Sequence, residues 1–184
     1  MSRVLFLKSI LALLLVGIIV GCGSNGGPQE TGPRNRQPQN IEANRDRADT
    51  CCVRALACIE DRDFDGAITQ LNEAIRLDPN YAEAYRVRGV ANREKGNLDQ
   101  AIVDYSEAIR LDPKNAGYYY GRSVAYTKKE EFDNAIADCN EAIRLNPKYA
   151  EAYHGRAVLY YAKGEYTKAA ADFQHEKEAR STAR

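Results

Sequence analysis

The 184-residue chain carries 26 Lys and Arg against 26 Asp and Glu, so its formal net charge is zero. A dedicated nucleic-acid binder shows a basic excess, and its absence argues against DNA or RNA as a partner. Trp is absent while Tyr occurs 12 times, and charged residues make up 28% of the chain, as in helical proteins with much surface.

Residues 1–21 stand apart. "MSRVLFLKSILALLLVGIIVG" places Arg3 and Lys8 before an apolar run from Ile10 to Gly21. A positive start followed by a run of this length predicts a signal peptide. The run is shorter than the ~20 apolar residues a spanning helix needs. It ends in "IVGC", which resembles the bacterial lipobox, with the small Gly21 directly before Cys22. That resemblance implies a cleaved leader, 1–21, and a diacylated Cys22 as the lipid anchor, since two acyl chains hold a protein at a membrane where one does not. The alternatives are an uncleaved anchor or plain secretion. Gly23 rather than Asp after the Cys implies, by the same resemblance, the outer membrane of a Gram-negative envelope. Residues 22–47 then run "CGSNGGPQETGPRNRQPQNIEANRDR", where Ile41 is the only large apolar side chain. Such a composition cannot offset chain entropy by burial and is expected to form a flexible tether.

From residue 48 the chain aligns with itself at a spacing of 34, giving units 48–81, 82–115, 116–149 and 150–183. Ala67, Ala101, Ala135 and Ala169 form one column. Leu71, Tyr105, Cys139 and Phe173 form another; Cys51, Tyr85, Tyr119 and Tyr153 a third; the small residues Ala55, Gly89, Ser123 and Ala157 a fourth. Pro79, Pro113 and Pro147 recur at the unit ends, where the residue before proline leaves the helical region. The period and columns resemble the tetratricopeptide repeat, a helix–turn–helix unit. The resemblance implies an all-α fold: a right-handed α-solenoid of four helix–turn–helix units.

One column departs from the family's usual Leu: Arg54, Arg88, Arg122 and Arg156. Sixteen residues on stand Gln70, Asp104, Asp138 and Asp172. An Arg on the core side of a helix needs a partner, so the two columns either meet across the packing or each Arg snorkels to solvent. At the far end, Glu176, Lys177 and Ala179 replace the Ala, Ile and Leu of the earlier "EAIRL" segments. A polar outer face there would close the array at four units.

Cys51, Cys58 and Cys139 fall in core columns and read as small hydrophobes. Cys51 and Cys58 lie two helical turns apart, too far for a disulfide, so no stabilising disulfide is expected. Cys52 is expected to be accessible and could link two molecules. His154 and His175 have no catalytic or metal-binding spacing, and phosphate loops are absent, so neither cofactor nor metal is expected.

These readings favour a noncatalytic adaptor that binds a protein or peptide. The first helix of each unit lines the concave face of such a solenoid. The stripe opposite the core is Cys52 and Leu56 in the first unit, and Arg86, Val90 and Arg93 in the second. It continues as Tyr120, Val124 and Thr127 in the third, and as His154, Val158 and Tyr161 in the fourth. Leu56 and the three Val residues form an apolar line that fits an extended or helical peptide, or that only packs neighbouring helices together. The Lys/Asn set with which related co-chaperones clamp a chaperone tail is missing. Two other readings remain: a lipid-tethered homo-oligomer stacking through its end repeats, and an enzyme or metal protein using a Cys thiolate.

Overall fold

A computed structural model of the chain describes residues 38–181, which consist of helices and the turns between them. The expected leader, Cys22 and most of the expected tether lie outside the described residues. Eight helices follow in order: α1 (Pro38–Glu60), α2 (Phe64–Leu77), α3 (Ala82–Lys95), α4 (Leu98–Leu111), α5 (Ala116–Lys128), α6 (Phe132–Leu145), α7 (Ala150–Ala162) and α8 (Tyr166–Ser181). They pair as α1–α2, α3–α4, α5–α6 and α7–α8, the four expected units of a right-handed helical solenoid.

The second helices bury one narrow stripe: Ala67, Leu71 and Ala74 in α2; Ala101, Tyr105 and Ala108 in α4; Ala135, Cys139 and Ala142 in α6. The i, i+4, i+7 spacing puts each set on one helix face. The alanines let the paired axes approach closely, and the central residue fills the space between units. Each junction ends the same way. Asp78, Asp112 and Asn146 leave the helical region before a proline, and each side-chain oxygen accepts the amide two residues on, at 3.0, 3.2 and 3.1 Å. Within each unit the turn passes through a left-handed residue: Arg62 (φ 61°), Gly96 (φ 90°), Glu130 (φ 62°) and Gly164 (φ 77°).

Consecutive first helices touch one another, whereas consecutive second helices do not. The first helices therefore form the inner, concave layer and the second helices the outer one.

The two charged columns meet. Arg88, Arg122 and Arg156 pair with Asp104, Asp138 and Asp172 of their own unit at 2.7, 2.8 and 2.7 Å. Each Arg also reaches back with Nη1 to the preceding unit: to Asn72 at 2.7 Å, Ser106 at 2.9 Å and Asn140 at 2.6 Å. One guanidinium thus ties three helices together. The rings of Tyr85, Tyr119 and Tyr153 lie against these groups, with centroids 5.5 to 5.9 Å from the guanidinium carbon. Hydrogen bonding to the aspartates raises the Arg122 and Arg156 pKa. Arg54 differs: it has Gln70 in place of Asp, no preceding unit, and no ion pair among the described residues.

Three expectations need correction. Helix α1 starts at Pro38, well inside the expected tether 22–47. Two turns into the helix, Arg45 pairs with Asp78 at 2.6 Å and stacks 3.9 Å over the Tyr81 ring. Phe173 sits in a core column, but it is 39% exposed, since no further unit covers α8 among the described residues. The outer face of α8 is therefore mixed rather than polar. Lys177 and Gln174 are exposed beside Phe173, while Glu176 is tucked in, bonded to His154 and Arg180 at 2.9 Å each.

Candidate functional site

The inner face holds a cleft of about 440 Å³ between the second and third units. Helix α3 contributes Glu83, Arg86, Val90 and Arg93; α5 contributes Tyr120, Gly117 and Gly121; Asn115 and Tyr149 close its edge. Four of the residues expected to line the groove, Arg86, Val90, Arg93 and Tyr120, are brought together here.

The floor of the cleft was not legible as a site. Tyr105 belongs to the outer helix α4, yet its ring passes between Gly89 on α3 and Gly121 on α5 to reach the inner face. Its hydroxyl is buried and has no hydrogen-bond partner among the described residues. Leaving a buried phenol unpaired costs roughly 1–3 kcal/mol. Burial raises the Tyr105 pKa, with Arg93 and Arg86 pulling it the other way. A large residue flanked by two glycine columns was the signal that could have revealed this.

The two arginines are positioned by local pairs. Arg86 forms a bidentate bond with Glu83 at 2.6 and 2.8 Å, and Arg93 holds Glu94 at 2.8 and 3.0 Å. Both use Nε and Nη2, so each Nη1 makes no bond among the described residues. Tyr120 is half-buried. It leans on the Tyr149 ring at a centroid distance of 5.3 Å and fits over Gly155. Burial raises its pKa and that of Tyr149. The wall thus combines two arginine–glutamate pairs with aromatic rings, with Val90 between.

The remaining residues of the expected stripe are spread along the same layer. Leu56 and Val158 are exposed, while Val90 and Val124 are half-buried. Val90 also packs on the Tyr105 and Ala125 cluster, so the column both lines the face and joins helices. Thr127 spends its hydroxyl on the Ser123 carbonyl at 2.8 Å. Tyr161 is exposed and packs edge-on against Tyr166, 5.2 Å away, at the last turn.

Two members of the stripe are misplaced by the sequence reading. Cys52 is buried, only 5% exposed, in a cluster with Ala84 and the adjoining Tyr81. Tyr81, in the loop into α3, packs against the same cluster, so Cys52 is not an accessible linking thiol. His154 turns back onto α8, its Nδ1 2.9 Å from Glu176 and its ring edge-on to Phe173 at 5.7 Å. It belongs to the end of the array.

Cys51, Cys52, Cys58 and Cys139 are free thiols. Burial pushes Cys52 and Cys139 up to about 11, the direction opposite to a reactive thiolate. Among the described residues no cluster of metal-ligating side chains forms, and no helix is long and apolar enough to cross a membrane.

Paired helices stacked into a solenoid, with a lined inner groove, define a helical-repeat protein of the interaction-scaffold class. The TPR repeat family model matches residues 56–94, 89–129 and 124–164, together more than half of the chain, and the chain belongs to the tetratricopeptide repeat family. Among solved structures it is similar to MamA, with 26% identity over 79% of this chain and 85% of that one and a TM-score of 0.69. It is also similar to the TPR domain of Arabidopsis OM64, with 25% identity over 65% of this chain and 98% of that one and a TM-score of 0.62. A MamA fragment from Desulfovibrio magneticus RS-1 shares the fold at 19% identity, covering 73% and 76% of the two chains, with a TM-score of 0.67. No curated protein matches the sequence significantly.

Proposed function

We propose that the chain is a noncatalytic, membrane-tethered adaptor that holds a peptide segment of a partner protein in its inner groove. The observation that carries this reading is the cleft between the second and third units. It combines two arginines with a free Nη1 each, an unpaired buried phenol at the floor, and the aromatic wall of Tyr120 and Tyr149. Such a set provides both elements of peptide recognition: a desolvated aromatic anchor, and donors that fix orientation. The tether rests on the sequence alone, on the leader 1–21 and Cys22. It places the domain in a bacterial cell envelope, facing the periplasm from the outer membrane if the cell is Gram-negative. The burial of Cys52 and Cys139, which raises their pKa, favours this reading over a Cys-dependent enzyme.

The test is selection of peptides from a random display library on the full chain, followed by titration against variants. Peptides that occupy the groove lose roughly 30-fold or more in affinity on Tyr120→Ala, the loss of an aromatic hot spot. They also weaken on Arg86→Glu. Arg110→Glu, an exposed change on α4, leaves binding intact. Peptides that ignore Tyr120 and Arg86 but lose affinity on Arg110→Glu would place the binding surface on the outer face.

A further inference from the structure

Each internal junction between units is built from the same two contacts. In the first, the central residue of the outer helix meets the next inner helix: Leu71 clusters with Val87, Tyr105 fits against Gly121, and Cys139 lies against Gly155. In the second, an Arg of the next unit donates to the outer helix one residue further on: Arg88 to Asn72, Arg122 to Ser106, Arg156 to Asn140. The two ends of the array carry the separated halves of that junction. On the first helix, Val53 occupies the column of Val87 but is 67% exposed where Val87 is 1% exposed. Beside it Arg54 has no ion-pair partner among the described residues. On the last helix Phe173 occupies the column of Leu71, Tyr105 and Cys139, and the exposed Gln174 occupies that of Asn72, Ser106 and Asn140.

We propose that the occupant of both ends is a second copy of this chain, docked head to tail, so that its first unit continues the solenoid beyond the fourth. Phe173 of one copy covers Val53 of the next, and Gln174 accepts the Arg54 guanidinium. Phe173 meets a valine where Tyr105 meets Gly121, and Gln174 is longer than Asn72, Ser106 and Asn140, so this junction sits wider than those inside the chain. Lys177 takes the place of Ile75, Ile109 and Ile143. No carboxylate opposes another at the remaining inter-unit pair, where Lys95–Asp65, Lys129–Asp99 and Lys163–Asp133 are followed by Asp61 and Thr167. A head-to-tail contact of this kind is heterologous and does not close on itself as a dimer does.

The test uses the full chain in excess mild detergent, so that residues 1–21 do not drive association themselves. Sedimentation velocity across a concentration series gives a mass that rises without stopping at two copies. Val53→Asp and Phe173→Asp, both at exposed positions, each remain single chains with unchanged helicity. An equimolar mixture of the two forms a species of two copies and no more, because each variant keeps one working end. Arg54→Glu weakens association, and adding Gln174→Arg to it restores association. A wild-type chain that stays monomeric to its solubility limit overturns the proposal. So does association that Val53→Asp and Phe173→Asp leave unaltered. The groove positions are untouched by these changes, so the peptide-binding reading stands or falls separately.

Discussion

The ring of Tyr105 occupies the space that any side chain on Gly121 would need. A Cβ at that glycine would lie 2.8 Å from Tyr105 Cζ, and one on Gly89 would lie 3.1 Å from Cε2. Gly121→Ala therefore overpacks the junction between the second and third units and costs about 1–3 kcal/mol. Adding Tyr105→Leu returns most of that loss, because the smaller residue is what faces a larger neighbour at the Leu71–Val87 junction. Urea unfolding of both single variants and the double variant measures the coupling. Simple additivity would show that the ring does not sit between the glycines.

Breaking a charge pair in the core differs from removing it. Asp138→Ala leaves the Arg122 guanidinium, only 21% exposed, without its carboxylate, and is expected to destabilise by roughly 3–5 kcal/mol. Replacing both Arg122 and Asp138 with Leu restores the family's usual apolar residue at the first position, and costs far less than the single change. Arg110→Ala removes an exposed i, i+3 pair with Glu107 and leaves stability nearly unchanged. Denaturation midpoints rank the three.

Glu130 holds a left-handed backbone that its column fills with glycine in the second and fourth units. A non-glycine residue there carries roughly 1–2 kcal/mol of strain. Glu130→Gly is expected to raise stability by about 0.5–1 kcal/mol, since glycine loses part of the gain through greater freedom when unfolded. A lower melting midpoint for this variant would refute the assignment of strain.

Alkaline pH acts on the buried thiols. Cys139 rises from an ordinary 9.0 to about 11 in the folded chain through burial. Between those values the unfolded chain has lost the proton that the folded chain keeps, so stability falls as pH rises. The stabilisation is complete below pH 9 and gone above 11, on the order of 2 kcal/mol for this thiol. Cys139→Ala is expected to lose less stability than wild type over that window when urea midpoints are compared. The same burial keeps native Cys139 unreactive to thiol reagents at neutral pH.

The anchor reading has its own check. Cys22→Ser is expected to move the chain from the membrane to the soluble fraction, or to leave it uncleaved. Labelling with radioactive palmitate that persists in this variant would refute lipidation at Cys22.

The helical units were legible because burial repeats every 34 residues, and because proline marks each exit. The Arg and Asp columns were legible as a demand for partners, and the structure meets it in the three units where Asp stands opposite. What the period could not carry was everything that breaks it. Cys52 shares a column with the inner-face Arg86 and Tyr120, yet Tyr81 and Ala84 cover it. Phe173 shares a column with Tyr105, yet no following unit covers it among the described residues. Helix α1 begins at Pro38, and Arg45 within it reaches Asp78 and Tyr81, long-range contacts that the local composition of residues 38–47 does not display. Tyr105 read as core, and it is core, but two flanking glycines also carry it through to the other side.

The paired sizes at the junctions bear on how such a repetitive chain finds one arrangement. The segments ending α2, α4 and α6 all read "EAIRL" and could dock on the wrong neighbour while folding. Tyr105 enters only where glycine faces it, and against Val87 it would be obstructed. Cys139 against Val87 would fit loosely, and Leu71 against Gly121 would leave a hole. The unlike residues in the most repetitive part of the sequence thus act as a key for each step, selecting correct neighbour order over slipped alternatives of nearly equal helix content.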